Sequence, residues 1–267
     1  MSTSGTETIV TPDGHKRILN LQPSDPAKVK RLVKSFGVST IPLSEIREFS
    51  AWPADAKIKD QDGAGACNGH AVATSLEASR AYQGMPYVPL SAWWVYGCLV
   101  KGRDMGSNIM DGLELAQKSG VAPESDVKYG DFSGRYTQQA ASNALRFKVE
   151  IGTSVAQSFD EVLTAVALRR VLNAAVRATN GWSGALDADG CPPVGRGPCN
   201  HAITIGGGIK KLRNGEFAVL MTNSWGIRWG LDGTCWLKRA HFENTSWFEA
   251  YEVLAAARDP QDYQPSA

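Results

Sequence analysis

Apolar residues recur at a helical spacing near the start of the chain. Positions i, i+3, i+4 and i+7 of this stretch are Val29, Leu32, Val33 and Phe36. Such residues share one face of a helix, and Asp25 followed by Pro26 is a typical helix start, as Gly37 is a typical end. The pattern predicts one amphipathic helix in an N-terminal arm, residues 1–50. An isolated helix this short is marginal in water, so we expect its apolar face to pack on the rest of the protein.

Further helices are predicted between residues 51 and 145. The Ala-rich stretch 67–82 carries Val72 and Leu76 four positions apart and is followed by Gly84, so Cys67 falls in the first turn of a helix. The stretch 113–120 ends on a glycine, which is a common helix cap. Residues 51–145 are therefore predicted to form a mostly helical region.

The pattern changes after residue 146. Ser158 and Glu161 have the spacing of a capping box and predict the start of one helix. Apolar runs separated by Gly-rich turns then predict strands over residues 170–178, 202–209, 217–222 and 234–237. We predict a β-rich region over residues 146–257, followed by a polar, proline-containing flexible tail, residues 258–267.

Composition excludes several classes of function. The 267 residues are 43% hydrophobic and carry a formal net charge of +1, which argues against a nucleic-acid partner. No apolar run reaches the length of a membrane span, and the first residues lack the pattern of a secretory signal, so we expect no membrane partner and a cytoplasmic setting. The sequence gives no indication of oligomeric state.

Four residues have the chemistry of nucleophilic catalysis. A thiol is a weak nucleophile until it ionises, and the start of a helix favours the thiolate of Cys67. A histidine such as His201 can exchange the proton, and an asparagine such as Asn223 can fix its tautomer. The side-chain amide of Gln61 can donate a hydrogen bond to an oxyanion. These roles predict that Cys67 is the most reactive thiol of the chain.

Two segments resemble the papain-like cysteine peptidases. They are the stretch from Gln61 to Cys67 and, after His201, the Asn-Ser-Trp-Gly run that begins at Asn223; the similarity extends over about residues 52–239. The resemblance implies that Cys67 is the nucleophile, His201 the acid and base, Asn223 the orienting residue and Gln61 the oxyanion donor. It also implies an α+β fold of two lobes, with the nucleophile helix in a helical lobe packed against a β-barrel-like lobe. Neither a metal nor a cofactor is implied.

The resemblance also implies a substrate cleft between the lobes, with a peptide or protein as substrate. The residues expected to line it are Gly65, Gly106, Ser107, Asn108 and Ile109, with Trp225 shielding the bond between His201 and Asn223. All but Trp225 fall on the non-primed side, which holds the substrate residues that precede the cut. Asn68 stands where the family usually has a bulky aromatic residue, and Ala64 where its secreted members have a cysteine. These departures favour a bacterial or viral branch.

Several alternatives stay open at this point. The same residues suit a cysteine-dependent acyl transferase or amidase, or a catalytically inactive peptide-binding homologue. His70 is a rival base, although its place on the helix of Cys67 favours a packing role. The N-terminal arm is interpreted as a docked structural segment, with a short cleft-blocking segment as the alternative. Cys191 and Cys199 are either free thiols, which we favour, or a disulfide.

Overall fold

The computed structural model describes residues 6–11, 13–53 and 55–256. Within these ranges the α-helices are Pro26–Leu32 (α1), Cys67–Tyr82 (α2), Ala92–Val100 (α3), Ile109–Ser119 (α4), Gln138–Ala144 (α5), Phe159–Ala167 (α6) and Ala240–Glu243 (α7). The strands are Glu7–Val10 (β1), Lys16–Leu19 (β2), Ser35–Phe36 (β3), Phe49–Ser50 (β4), Val149–Val155 (β5), Leu172–Val176 (β6), His201–Lys211 (β7), Phe217–Thr222 (β8), Thr234–Lys238 (β9) and Ala250–Ala255 (β10). Short 3₁₀ turns span Leu43–Glu45, Glu124–Asp126 and Asn180–Ser183. The predicted tail, residues 258–267, lies outside the described residues.

The architecture is the predicted α+β fold with two lobes. Helices α2 to α5 form one lobe around a core that includes Leu76, Trp94 and Leu113. The other lobe is built on a mainly antiparallel sheet with strand order β3-β5-β10-β6-β7-β8-β9, to which β4 adds by pairing with β7. Its core, including Phe159 and Trp182, lies between the sheet, helix α6 and the loops that follow β6 and β8.

Helix α2 joins the two lobes and matches its predicted bounds. It contacts α3 and α4 on one side and strands β7 and β10 on the other. Because small residues occupy most of its positions, neighbours approach closely: a methyl group added to Gly69 would lie 2.7 Å from the carbonyl oxygen of Ala92. The buried helix therefore holds Cys67 at the boundary between the lobes, beside the start of β7.

The predicted helix of the N-terminal arm is shorter than its apolar pattern. Asp25 caps α1 through a hydrogen bond from the Ala27 N–H (2.9 Å), but the helix ends at Leu32. Phe36 belongs instead to β3, where it pairs with Ser154 of β5 and is 63% exposed. The prediction of Phe36 on the helix face is wrong, because parallel strand pairing with β5 competes with continuation of the helix.

The capping-box spacing predicted the helix start correctly and the hydrogen bonds wrongly. Helix α6 follows Ser158, yet the Ser158 side chain makes no capping hydrogen bond. The carboxylate of Glu161 instead accepts from the N–H groups of Val38 (2.9 Å) and Ala156 (3.0 Å), which ties the arm to the sheet lobe.

Of the four predicted strands, β8 matches its bounds and β6, β7 and β9 lie within a few residues of theirs. Strands β5 and β10 and the antiparallel hairpin β1–β2 were not predicted. The hairpin places Arg17 and Leu19 in buried positions, so part of the polar, turn-rich N-terminal stretch packs on the rest of the protein.

Candidate active site

The thiol of Cys67 is buried at the start of helix α2. The side chain is about 1% exposed, and burial raises the pKa of the thiol to about 11. Backbone N–H groups of Ala202, Asn68 and Cys67 itself act in the opposite direction, because they stabilise the thiolate. The predicted position is confirmed, but in this buried state the thiol is protonated at neutral pH. That Cys67 is the most reactive thiol stays a prediction, which applies to the protein in which Cys67 is exposed.

His201 begins strand β7, and Asn223 follows strand β8 beside it. The Nε2 atom of His201 lies 2.8 Å from the Oδ1 atom of Asn223, which also accepts the Ser224 N–H at 2.8 Å. An atom that accepts from a backbone N–H is the amide oxygen, so the imidazole must donate through Nε2–H. The Nδ1 atom then carries the free lone pair, and within the described residues it is buried without a hydrogen-bond partner.

The His201–Asn223 pair is sheltered from water. Trp225 is fully buried, and its ring centroid lies 5.0 Å from that of His201. Burial lowers the pKa of His201 to about 4, although the hydrogen bond with Asn223 acts in the opposite direction. The imidazole is therefore neutral at pH 7, in the tautomer that accepts a proton at Nδ1.

Gln61 is fully buried, and both ends of its side-chain amide are engaged. The Ser224 hydroxyl donates to Oε1 at 2.6 Å, so Nε2 is the donor end. Nε2 donates to the carbonyl oxygens of Ala64 (2.8 Å) and Ile18 (3.2 Å). Gln61, the predicted oxyanion donor, thus already donates one hydrogen of its amide to the carbonyl oxygen of Ile18 in the N-terminal arm.

Residues 18–22, the cleft strap, run along the cleft past these groups. The Leu21 N–H donates to the Asn200 carbonyl oxygen at 3.1 Å, and the Gln22 N–H donates to the Ser107 carbonyl oxygen at 3.2 Å. These acceptors belong to opposite walls, since Asn200 precedes β7 and Ser107 precedes α4. Leu21 itself is fully buried in the core of the helical lobe. The strap therefore lies between the lobes, where a peptide substrate is expected to bind.

Arg17 anchors the strap at its N-terminal end. Its guanidinium is fully buried, forms an ion pair with Asp60 and donates to the carbonyl oxygens of Asp62 (3.2 Å) and Trp225 (3.0 Å). A second ion pair of the same hairpin joins Glu7 to Arg177 (2.6 Å). These contacts hold the β1–β2 hairpin over the side of the cleft where Trp225 lies.

The residues predicted to contact substrate lie where the strap passes. Gly106, in the left-handed region at φ 71°, faces Asn20: a methyl group added there would lie 1.8 Å from the Asn20 Oδ1 atom. Asn108 pairs with Gln22 in an isolated parallel bridge, and Ile109 is fully buried at the start of α4. The structure thus brings this predicted wall against the strap.

Other residues of the site were missed by the sequence analysis as functional candidates. Asn68 donates to Ser107 Oγ (3.1 Å) and to the Asn108 carbonyl oxygen (2.5 Å), and so supports the wall beside the strap. Asp104 accepts the Gly65 N–H at 2.8 Å. The hydrogen-bond partners of Asn68 and Asp104 are distant in sequence, so no local motif contains a residue together with its partner. Only Asn68 could have been noticed from the sequence, because it is an unusual residue after the cysteine.

His70 has the contacts of a packing residue. Its Nδ1 and Nε2 atoms lie 2.9 Å and 3.1 Å from the carbonyl oxygens of Ala66 and Asp60, and its ring meets Trp93 edge to face. Burial lowers the pKa of His70 to about 4. A neutral imidazole donates through one nitrogen only, so one of these two contacts is a hydrogen bond. Carbonyl oxygens block both nitrogens from a reacting group, whereas Nδ1 of His201 has no hydrogen-bond partner among the described residues.

The five cysteines of the chain all lie in the described residues and are free thiols, Cys191 and Cys199 included. Among the described residues, no group of three or more His, Cys, Asp or Glu side chains is arranged to hold a metal ion. No helix in the described ranges combines the length and the hydropathy needed to cross a bilayer.

Comparison with known proteins places this geometry in a family. The model of the papain family cysteine proteases matches residues 48–253. No curated protein sequence matches the chain.

Solved structures of cysteine proteases share the fold. Xylellain from Xylella fastidiosa superposes with a TM-score of 0.71 at 18% identity, over 94% of this chain and 98% of that one. Procathepsin L 3 from the larval midgut of Tenebrio molitor gives 0.64 at 16% identity, covering 89% and 83%. Bromelain from Ananas comosus, solved with the inhibitor E64, gives 0.60 at 22% identity, covering 80% and 100%.

Proposed function

Since the chain belongs to the papain family of cysteine proteases, we propose that it hydrolyses peptide bonds through Cys67, His201, Asn223 and Gln61. The observation that carries this proposal is the orientation of His201. Asn223 holds Nε2–H, which leaves the Nδ1 lone pair free at the boundary between the lobes where Cys67 lies. A buried nitrogen without a hydrogen-bond partner costs stability, and a catalytic role explains why such a cost persists.

The proposed reaction has two stages. In acylation, Nδ1 of His201 takes the Cys67 proton, and Sγ attacks the peptide carbonyl carbon. The oxyanion receives hydrogen bonds from Gln61 Nε2 and the Cys67 N–H; as the C–N bond breaks, the imidazolium returns the proton to the leaving amine. In deacylation, His201 takes a proton from water, the hydroxide attacks the thioester, and the thiol leaves with that proton as the acid product is released.

We further propose that the cleft strap keeps the enzyme latent. The Ile18 carbonyl oxygen accepts a hydrogen bond from Gln61 Nε2, where the carbonyl of a cleaved bond would lie. The residues that follow Ile18 contact Ser107, on the wall expected to bind the non-primed residues of a substrate. A substrate places residues that precede the cut on that wall, so the strap runs in the opposite direction to a productive peptide. The strap also removes water from Cys67 and His201, which favours their neutral forms.

A cleavage assay with two variants tests the peptidase proposal. The full chain and the strap variant Arg17→Ala are incubated with a peptide library under reducing conditions, and the cuts are identified by mass spectrometry. We expect cleavage that is faster for Arg17→Ala and absent when Cys67→Ala is added. Transfer of the acyl group to added amines in preference to water would instead support an acyl transferase. Peptide binding without any turnover in either protein would support an inactive homologue.

A further inference from the structure

A carboxylate joins the two glycine walls of the cleft. Oδ1 of Asp104 accepts the Gly65 N–H (2.8 Å) and also the hydroxyl of Tyr96. The same hydroxyl accepts the Gly106 N–H at 3.1 Å. This network ties the segment before Cys67 to the wall around Gly106. None of the residues in this network has a role in the proposed reaction.

The space between these glycines now holds a side chain of the strap. A methyl group placed on Gly65 would lie 2.9 Å from Asp104 Oδ1 and 3.2 Å from Asn20 Nδ2. A methyl group on Gly106 would lie 1.8 Å from Asn20 Oδ1. The Asn20 amide therefore fills a subsite whose sides are two glycines and whose edge is the Asp104 carboxylate.

The carboxylate of Asp104 has no cationic partner in the described part of the chain. Every ion pair found there with a nitrogen–oxygen distance up to 4.0 Å involves other acidic residues; Asp60, for example, pairs with Arg17. Burial is the main reason for the raised pKa of the Cys67 thiol, and the nearby negative charge of Asp104 also raises it. An uncompensated negative charge thus borders the cleft, next to the proposed nucleophile.

The position of Gly65 fixes which substrate residue meets this charge. Gly65 precedes Cys67 by two residues, so their Cα atoms lie at most about 7.6 Å apart. A substrate whose carbonyl carbon is at Cys67 Sγ and whose oxygen is at Gln61 places the side chain of that same residue beside Gly65. Without a Cβ on Gly65, a substrate side chain can lie there once Asn20 is displaced, and the Asp104 carboxylate borders it.

We propose that Asp104 is a specificity-determining residue that selects substrates with arginine or lysine immediately before the cut. This inference rests on the proposed peptidase function. A cationic side chain would pair with the carboxylate under the cover of the bound peptide, where screening by water is reduced. The same pairing offsets the negative charge that opposes ionisation of Cys67, so a basic residue favours both binding and acylation.

Substrate pairs that differ only in charge test the proposal. Two otherwise identical peptides carry arginine or its neutral isostere citrulline before the scissile bond, and kcat/KM is measured for each with the full chain. The ratio of the two values does not depend on the fraction of molecules with a displaced strap, because that fraction scales both values equally. We expect the ratio to favour arginine roughly tenfold.

Asp104→Asn separates charge from shape. Asparagine keeps the Oδ1 acceptor for Gly65 and Tyr96, so the walls are retained while the charge is lost. We expect the arginine-to-citrulline ratio to fall to about one in Asp104→Asn. It should stay unchanged in Glu249→Gln, a matched control, because Glu249 meets the arm at Ser24 (2.6 Å) and not at Asn20.

Tyr96→Phe tests whether loss of a hydrogen bond to Asp104, without loss of the charge, is enough to change the preference. It removes one hydrogen bond to Asp104 but keeps the charge, so the arginine preference should persist. Equal cleavage of both peptides by the unaltered chain, or an arginine preference that survives in Asp104→Asn, would overturn the inference and leave the peptidase function intact. Failure of the unaltered chain and of Arg17→Ala to cleave either peptide or any library member would instead reject the proposed function itself.

Discussion

Single side-chain atoms decide which histidine of this protein can accept a proton. The Ser224 N–H identifies the amide oxygen of Asn223, and that oxygen fixes the tautomer of His201. Both nitrogens of His70 face carbonyl oxygens, so its ring has no position left for a reacting group. Two buried histidines with similarly lowered pKa values thus differ in their capacity for catalysis.

Alanine substitutions at the two histidines should therefore have different effects. His201→Ala is expected to lower kcat/KM by about 10²–10⁴-fold, since it removes general acid–base catalysis. His70→Ala should lower the melting temperature through the lost contacts with Trp93 and helix α2, with most of the activity per folded molecule retained. Steady-state kinetics and thermal unfolding measure both effects. Equal losses of activity in two well-folded variants would contradict the assignment.

The reactivity of the cysteines gives a second prediction at this scale. Cys98 is half-buried, whereas the other four thiols are buried, so Cys98 should be alkylated first by iodoacetamide in the full chain. In Arg17→Ala, displacement of the strap should expose Cys67 and make it the fastest-reacting thiol. Peptide mapping by mass spectrometry identifies the labelled residues. Rapid labelling of Cys67 in the unaltered chain would show that the strap does not cover it in solution.

At the scale of elements, charged residues tie helix α1 of the arm to helix α4, while its partly buried Val29 and Leu32 pack on the core of the helical lobe. No residue of α1 is fully buried. Lys28 pairs with Asp111 and with Glu114 (3.0 Å) of helix α4, and Arg31 pairs with Glu114 at 2.9 Å. The strap is held by backbone hydrogen bonds, by the buried guanidinium of Arg17 and by the buried side chains of Leu19 and Leu21.

The strap is expected to open when its anchor is removed. Arg17→Ala deletes the contacts with Asp60 and the Trp225 carbonyl oxygen, so activity toward a peptide substrate should rise. The melting temperature should fall, because the variant leaves buried acceptors without a donor. Arg228→Ala is the matched control, since Arg228 is exposed and pairs only with Asp13 among the described residues; its activity and stability should be unchanged. Leu21→Ala should also raise activity, by weakening the strap where it enters the core.

The ion pairs of Glu114, with Lys118 of α4 and Lys28 of α1, predict that stability depends on pH. Hydrogen bonds from Lys118 and Lys28 lower the pKa of Glu114 to about 2, below its ordinary value near 4.5. A depressed carboxyl pKa contributes stability that is complete above the ordinary pKa and is lost as the pH falls toward 2. Glu114→Gln should thus reduce the free energy of unfolding by about 1 kcal/mol at pH 7. The difference from the unaltered chain should disappear near pH 2, as denaturant titrations at several pH values would show.

Elements were predictable where local pattern and tertiary contacts agree. Helix α2 and strand β8 have the expected bounds because their neighbours bury the residues that the pattern marks as apolar. Phe36 was misassigned because pairing with Ser154 is a long-range contact that helical spacing does not reveal. The positions of Cys67, His201, Asn223 and Gln61 followed from their motifs. The strap did not, because its contacts with Ser107 and Asn200 use backbone atoms that any sequence provides.

At the scale of the whole molecule, buried neutral histidines in both lobes couple the fold to pH. Burial lowers the pKa values of His70, His201 and His241 to about 4. The unfolded chain binds protons at these residues below about pH 6.5, whereas the folded protein resists protonation down to about pH 4. Glu77 and Glu249, whose pKa values are raised by burial, act in the opposite direction.

Stability should therefore fall on acidification from pH 7 to pH 4, since the three histidines outweigh these two carboxyl groups. Thermal unfolding across this range should show a decreasing melting temperature. His241 contacts the Pro192 carbonyl oxygen away from the proposed nucleophile, so His241→Gln should flatten the curve without changing the cleaved sequence. A melting temperature that rises toward pH 4 would contradict the burial of these rings in their neutral form.

The strap and the cleft that it occupies belong to one polypeptide, which determines how its proposed inhibition depends on concentration. A tethered segment meets its site at an effective concentration that is on the order of millimolar and does not change when the protein is diluted. Even weak intrinsic affinity would then keep most molecules closed in any volume. A single cut between residue 22 and strand β3 would convert the strap into a separate peptide whose occupancy depends on dilution, so activation could become irreversible without any change in the cleft itself.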